Sequence, residues 1–409
     1  MSGLPGLDVP AEQVRFEPSR AAGLARLDRF VSRTGRHYAR TRNFDYGPDH
    51  RSNVSVLSPW LRHRVISEQE VLHAVLARHS PSAAEKFVQE VFWRTYFKGW
   101  LEHHPSVWTT FEQGVQRARD AVEANAELRS RYMAAVTGQT GIAPFDAWVQ
   151  ELVETGYLHN HARMWFASIW IFTLRLPWEL GAAFFLAHLV DADPASNTLS
   201  WRWVGGLHTK GKTYLARPDN IATYTEGRFH PRGQLATHAP PLTEAAEHPR
   251  VPLRPADVAP DGPYLLLVTA EDVGVETVIE TPPEAVLGLT MPADRGVEAP
   301  GARMQAFTTG VMREAVGAGG QVIEAVDWAP PLLEAAGRAG VRTVVTGFAP
   351  VGPVAGQLAR ARTDLTRAGI DLRCVRRAYD TTCWPHATRG FFGLKKKIPQ
   401  ILSALGLTI

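Results

Sequence analysis

Two hydrophobic rhythms divide this chain. Up to about residue 236, apolar residues recur every three to four positions, the spacing of helices that bury one face. SEQEVLHAVLARH (67–79) predicts a helix after a Ser cap, and SAAEKFVQEVFWRTYFKGWLEHH (82–104) predicts a longer one. DAWVQELVETGYLHNHARMWFASIWIF (146–172) predicts a third, interrupted at its glycine. No convincing strand alternation precedes residue 260. From Tyr264 the pattern changes: YLLLVTA, AVLGLTM, QVIEAVD, VRTVVTGF and IDLRCVRR read as strands, separated by helical stretches such as PPLLEAAGRAG and PVAGQLARARTDLTRAG. That alternation predicts a parallel sheet flanked by helices. Between the two rhythms lies THAPPLTEAAEHPRVPLRPADVAPDGP, Pro-rich and linker-like.

The expected organisation is therefore a tail (1–20), a helical domain (21–236), a linker (237–261) and a Rossmann-like α/β domain with a helical tail (262–409). No Gly-x-Gly-x-x-Gly follows a strand, so dinucleotide binding by the α/β part is not indicated.

Composition changes this picture little. The 409 residues are 45% hydrophobic and 21% charged, with a formal net charge of +3, which permits a polyanionic partner without arguing for one. Two cysteines exclude a disulfide framework and any Cys-only zinc or iron–sulfur site, and no metal is expected. A reducing cytoplasm fits. MSGLPGLDVPAEQ lacks a basic start followed by an apolar run, so no leader is expected. The most apolar run (165–190) is broken by Arg175, Pro177 and Glu179 and reads as a buried helix pair rather than a membrane span.

Four segments carry candidate chemistry. RSNVSVLSPWLRHRVIS (51–67) sets hydroxyls and amides before a helix, whose free N–H groups can bind phosphate. In EVFWRTYF, Glu90 and Arg94 are four apart and can pair, while Glu90 and Trp93 can line one wall. GYLHNHARMW sets Asn160, Arg163 and Met164 along one helix, and a buried Arg163 would need a partner such as Asp191. DADPASNTLSWRW packs two acids, an amide and two tryptophans into 13 residues. Each segment alone reads as easily as an ordinary cap, ion pair or core.

Together and in this order, from about Tyr38 to Phe229, they resemble the FAD-binding domain of the DNA photolyase and cryptochrome family. The family's Thr-Ser-x-Leu-Ser-Pro stands here as VSVLSP and its Trp-Arg-Glu-Phe helix as FWRTYF; Asp-x-Asp, Asn and Trp-x-Trp are all present. The resemblance implies FAD held by Tyr38, Ser55, Leu57, Ser58, Arg94, Asn160, Arg163, Asp191 and Asp193, with Asn197 facing flavin N5. Val54 replaces the usual threonine hydroxyl. It implies Trp201 and Trp178 as the first two members of an electron relay; Asn125 stands where the third aligns, leaving Tyr157, Trp165 or Trp170 as substitutes. It implies Glu90, Trp93, Met164 and Trp203 around a flipped cyclobutane pyrimidine dimer, with Asn197 below. Arg42 would contact DNA phosphate, and His161 replaces a second arginine there.

Damaged DNA is thus the implied partner, no membrane is implied, and protein partners and any antenna chromophore are unassigned. A cryptochrome-like photoreceptor without repair is the alternative. It is motivated by ARPDNI replacing the family's Phe-Asn-Pro turn and by the α/β part following the FAD domain rather than preceding it. The tail DTTCWPHATRGFFGLKKKIPQIL is expected to be a surface helix, to dock across the FAD domain, or to form a basic rim.

Overall fold

Ser67 opens the helix Glu68–Arg78 with a full capping box: its hydroxyl accepts from the Glu70 amide, and the Glu70 carboxylate accepts from the Ser67 amide. Ser80 caps the next helix, Pro81–His103, with proline in its first turn. The interruption expected at Gly156 is a helix C-cap. Gly156 takes φ +72°, the left-handed conformation, and ends Ala143–Thr155 before Asn160–Ser168 begins. This computed structural model describes residues 14–292 and 301–407; most of the expected N-terminal tail lies outside the described residues.

The first part is helical throughout, as the periodicity predicts. Among the helices not expected individually are Ser106–Ala124 and Ala126–Val136, although Val107, Phe111, Val115, Ala118 and Val122 of the first are all buried and follow helical spacing. Five strands follow: β1 (Leu265–Val268), β2 (Ala285–Thr290), β3 (Gln321–Glu324), β4 (Thr343–Gly347) and β5 (Asp371–Val375). They form one parallel sheet in the order β3-β2-β1-β4-β5, with Leu265 opposite both Ala285 and Val344. Every residue of β1 is buried, as a central parallel strand covered on both faces requires.

The strand period of two gives each face its own core. Leu265, Leu267 and Val344 pack with the helices Ala329–Ala339 and Pro353–Arg367. Leu266, Val268 and Val345 share a cluster with Trp60, Phe92 and Phe307 that runs into the helical part. The two parts therefore have one continuous interior.

Charge ties them as well. Arg62 reaches across to Glu271 with two hydrogen bonds of 2.7 and 2.8 Å, and Arg64 to Asp272 at 3.3 Å and Asp380 at 2.5 Å. His63 between them bonds the Ala270 carbonyl. The carboxyl end of β1, beside the point where the strand order reverses, is the usual ligand crevice of such sheets. Here residues 62–64 of the helical part occupy the side of it next to β1.

The Pro-rich segment has neither helix nor strand over 238–256, yet it is laced down. Leu242 N–H donates to Gly205 O, Val251 N–H to His103 O, and Arg254 pairs with Glu102 through two bonds. It behaves as a strap rather than a free linker. Among the described residues, no helix is long and apolar enough to cross a membrane.

Candidate functional site

Three helices bring the candidate residues together. Pro81–His103 carries Glu90, Trp93 and Arg94; Asn160–Ser168 carries Asn160, Arg163 and Met164; Pro194–Val204 carries Asn197, Trp201 and Trp203. The last of these packs against both others.

Asp193 is the junction. One carboxylate oxygen caps Pro194–Val204 by accepting from the Ser196 amide at 2.8 Å. The other faces Lys98 at 3.3 Å, Arg94 at 3.4 Å and Arg62 at 4.0 Å. Burial alone would raise the Asp193 pKa, but Lys98, Arg94 and Arg62 outweigh it and hold the carboxyl well below the ordinary range. Burial lowers the Lys98 pKa as well, disfavouring its charged form, and its ammonium lies near Asp193 without hydrogen-bond geometry.

Arg163 pairs with Asp191 at 2.9 Å, the partnership its spacing and polarity suggest, and its guanidinium also lies 5.1 Å from the Tyr157 ring centroid. Asn197 is anchored: its amide N–H donates to Ala182 O at 2.8 Å, which leaves the amide oxygen as the group free to turn elsewhere. Tyr38 is buried against Phe30 and Phe87, and burial pushes its phenol pKa up.

The loop before Ser58 is pinned by Arg26, which donates to the carbonyls of Ser55 and Val54, and by Asn53, which donates to those of Thr41 and Phe44. Within it Val56 sits at φ +50°, a strained conformation for a β-branched residue.

The spacing of Glu90 and Arg94 allows a pair, but the structure does not form it. Glu90 pairs with Arg42, and Arg94 turns to Asp193. An i,i+4 pair on a helix is worth only a few tenths of a kcal/mol, so tertiary approach decides the partner. Trp93 is stacked on Phe391 of the tail helix Phe391–Lys395, with centroids 3.7 Å apart and planes 12° from parallel. Trp203 stacks on Tyr214 at 5.8 Å. His161 bonds Asn43 O and stacks on Trp165 at 4.2 Å. Glu90, Trp93, Arg94, Met164 and Trp203 keep partial exposure and Asn160 is exposed, while Leu57, Asp191, Asp193, Asn197 and Trp201 are buried. The candidates thus form a sealed floor beneath an accessible rim.

Two cavities lie nearby. The larger, about 950 Å³, is lined by Arg51, Val56, Tyr157, Val190 and Phe307, immediate neighbours of Ser55, Leu57 and Asp191. The smaller, about 320 Å³, lies at the carboxyl ends of β1 to β3 beside Arg62, Trp108, Met304 and Trp328. Among the described residues no cluster of His, Cys, Asp or Glu could hold a metal.

Buried polar atoms rarely lack partners, yet Asp191 Oδ1 and Arg94 Nε do. Orphans of opposite polarity in this floor suit a polar, hydrogen-bonding group such as a flavin with its ribityl chain.

The family model for the FAD binding domain of DNA photolyase matches residues 87–245. Over these residues the helical part is similar to the photolyase/cryptochrome family. Its cofactor is FAD.

The chain is 34% identical over 196 residues to the deoxyribodipyrimidine photo-lyase of Agrobacterium fabrum, across 47% of this chain and 39% of that one. It is 31% identical over 202 residues to the cryptochrome DASH of Natronomonas pharaonis, across 47% and 41%. The chain thus spans about two-fifths of these curated relatives. A bacterial class III photolyase structure from Agrobacterium tumefaciens overlays with a TM-score of 0.43 at 31% identity, over 51% of this chain and 43% of that one, too loose a fit to carry an argument. The family match ends at residue 245, before β1.

The photolyase-type floor is packed tightly around Trp201. Gly181 lies under its ring: a Cβ there would meet Trp201 Cη2 at 2.3 Å and Trp170 Cε2 at 2.9 Å. Gly181→Ala is expected to cost about 1–3 kcal/mol through overpacking. A lowered thermal midpoint with an altered tryptophan emission would be the result; an unchanged melt would mean that the rings move aside freely.

Proposed function

We propose that this protein is a light-driven, FAD-dependent enzyme that repairs cyclobutane pyrimidine dimers in DNA. The observation that carries this reading is the anchored Asn197 amide, buried beneath a rim on which Glu90, Trp93, Met164 and Trp203 stay reachable. Bound FAD, reduced and excited by light, would supply the electron that splits the dimer.

The protein's own residues would do the rest. Tyr38, Ser55, Leu57, Ser58, Arg94 and Asn160 would hold the cofactor. Arg163 and Asp191 would fix the edge of its ring. Asp193 would keep Arg94 in place and cap the helix that presents Asn197. At the rim, indole and thioether surfaces would receive an extruded pyrimidine dimer, two linked neighbours of one strand, and Glu90 would hydrogen-bond to base edges. Arg42 and His161 would face the strand.

We propose the division into a helical domain (21–236), a strap (237–261) and a Rossmann-like domain (262–409). The parallel strand order and the irregular 238–256 segment support it.

A second reading, a cryptochrome-like photoreceptor without repair, is favoured by two contacts. Arg42 and Glu90 are already paired to each other, and one face of Trp93 is already covered by Phe391. Illumination of a dimer-containing oligonucleotide with the reduced, flavin-loaded protein separates the readings. Repair predicts loss of dimers in the light and none in the dark. Persistence of the dimers with FAD bound would reject repair and leave the photoreceptor.

A further inference from the structure

We propose that electrons reach Trp201 from the surface through Trp170 and Tyr132, bypassing Trp178. This inference rests on the light-driven electron-transfer reading above. Among the described residues, the ring contacts of Trp201 are with Phe166, Trp170 and Phe185, and Trp170 is the readily oxidised ring of the three. Trp170 stands 6.2 Å from Trp201, edge to face, and Tyr132 stands 6.1 Å from Trp170 in the same manner. Trp201 and Trp170 are sealed in the core, while Tyr132 is half-buried, so the series runs from interior to solvent.

Trp178 packs against Phe111 at 5.6 Å and, among the described residues, is not one of the ring contacts of Trp201. Electrostatics separates the two candidates further. An indole that loses an electron becomes a cation. The Arg202 guanidinium lies 6.0 Å from the Trp178 ring centroid, a contact that favours the neutral ring and opposes the oxidised one. Glu244, paired with Arg202 at 2.5 Å, offsets part of that repulsion. Trp170 has the opposite setting: its N–H donates to the Pro177 carbonyl at 2.8 Å, and that bond strengthens when the indole becomes positive.

The end of the route has a structural logic too. Asn125, where the family's third tryptophan would align, is instead the N-cap of Ala126–Val136, accepting from the Leu128 amide. The helix it starts is the one that carries Tyr132.

The steps balance. Trp201 gives one electron to the photoexcited acceptor. Trp170 refills Trp201, and Tyr132 refills Trp170. The Tyr132 phenol proton passes to water, leaving a neutral tyrosyl radical, and a thiol reductant in solution returns the phenol by donating one hydrogen atom.

The test uses the flavin-loaded full chain and three variants, Trp170→Phe, Tyr132→Phe and Trp178→Phe. Flavin content and circular dichroism establish folding. Bleaching under blue light with dithiothreitol gives the rate, and transient absorption identifies the radical. Trp170→Phe is expected to slow bleaching at least about tenfold, a barrier change of ~1.4 kcal/mol. Tyr132→Phe, a change at the half-exposed end of the route, is expected to remove the tyrosyl signal. Trp178→Phe is expected to leave both within about twofold. A tenfold loss in Trp178→Phe, or an unaltered tyrosyl signal in Tyr132→Phe, would overturn the route. Absence of bleaching in the parent would instead count against the light-driven reading itself.

Discussion

Asp193→Asn is expected to lower the thermal midpoint by roughly 5–10 °C, the largest effect of any conservative change in the floor. Asparagine keeps the oxygen that caps Pro194–Val204, so the helix start is not what fails. What fails is charge balance. Lys98, buried, and Arg94, largely covered, lie 3.3 and 3.4 Å from this carboxylate, while Arg62 keeps Glu271 as its partner. Taking one partner from a buried ion cluster costs about 3–5 kcal/mol, because the remaining charges stay desolvated. Arg94 loses its anchor as well, so the purified variant is expected to carry less FAD. The pH dependence follows from the depressed folded-state pKa. The contribution of Asp193 is present above the ordinary carboxylate range and is lost as pH falls through the folded value. Parent and variant should therefore converge in strong acid. A difference in midpoint of under one degree near neutral pH would show that the cluster is solvated.

Mild acid is expected to destabilise the parent steeply, beginning below pH 6.5. His63 and His159 are both buried, and burial first, then neighbouring arginines, lower each pKa to about 3. The bonds agree. His159 Nδ1 accepts from the His161 amide, so Nε2 carries the proton and donates to Arg42 O. A second proton on that ring would point at an N–H. Between the ordinary histidine pKa and about 3 the unfolded chain binds protons that the folded chain refuses, so stability falls as pH falls. Each ring contributes up to about 1.4 kcal/mol per pH unit, so the pair removes roughly 5 kcal/mol between pH 6.5 and 4.5. Chemical denaturation across that window measures the slope. His63→Asn, which can still donate to Ala270 O, should remove about half of it. A flat profile would mean that both rings protonate while folded.

The strands were legible because each is a short β-branched run with glycines and helix signals between, and the five expected runs contain β1 to β5. Ser67 was legible for the same reason: a cap followed by Glu70 is a local rule. The Arg163–Asp191 pair was within reach too, since a buried arginine needs an acid and one lies in the next motif. What the sequence hid are choices made at long range. Nothing near Glu90 says that Arg42 will arrive before Arg94, and Phe391 lies almost three hundred residues from the indole it covers. The Pro-rich stretch read as a linker because composition reports stiffness, not the partners that Gly205, His103 and Glu102 supply. The Ser106–Ala124 helix is legible by the same rule, for its apolar spacing is regular.

The clamp at the end of β1 has a consequence for synthesis. Arg62 waits for Glu271, 209 residues downstream, and Arg64 for Asp380, 316 downstream. At 5–20 residues per second a ribosome needs roughly 10–60 s to deliver those acids. Until then the nascent N-terminal half holds two arginines without their nearest acids, Arg62 left with Asp193 at 4.0 Å and Arg64 with Glu68 at 3.7 Å, so a messenger truncated before β1 should yield a chaperone client rather than a free-standing module.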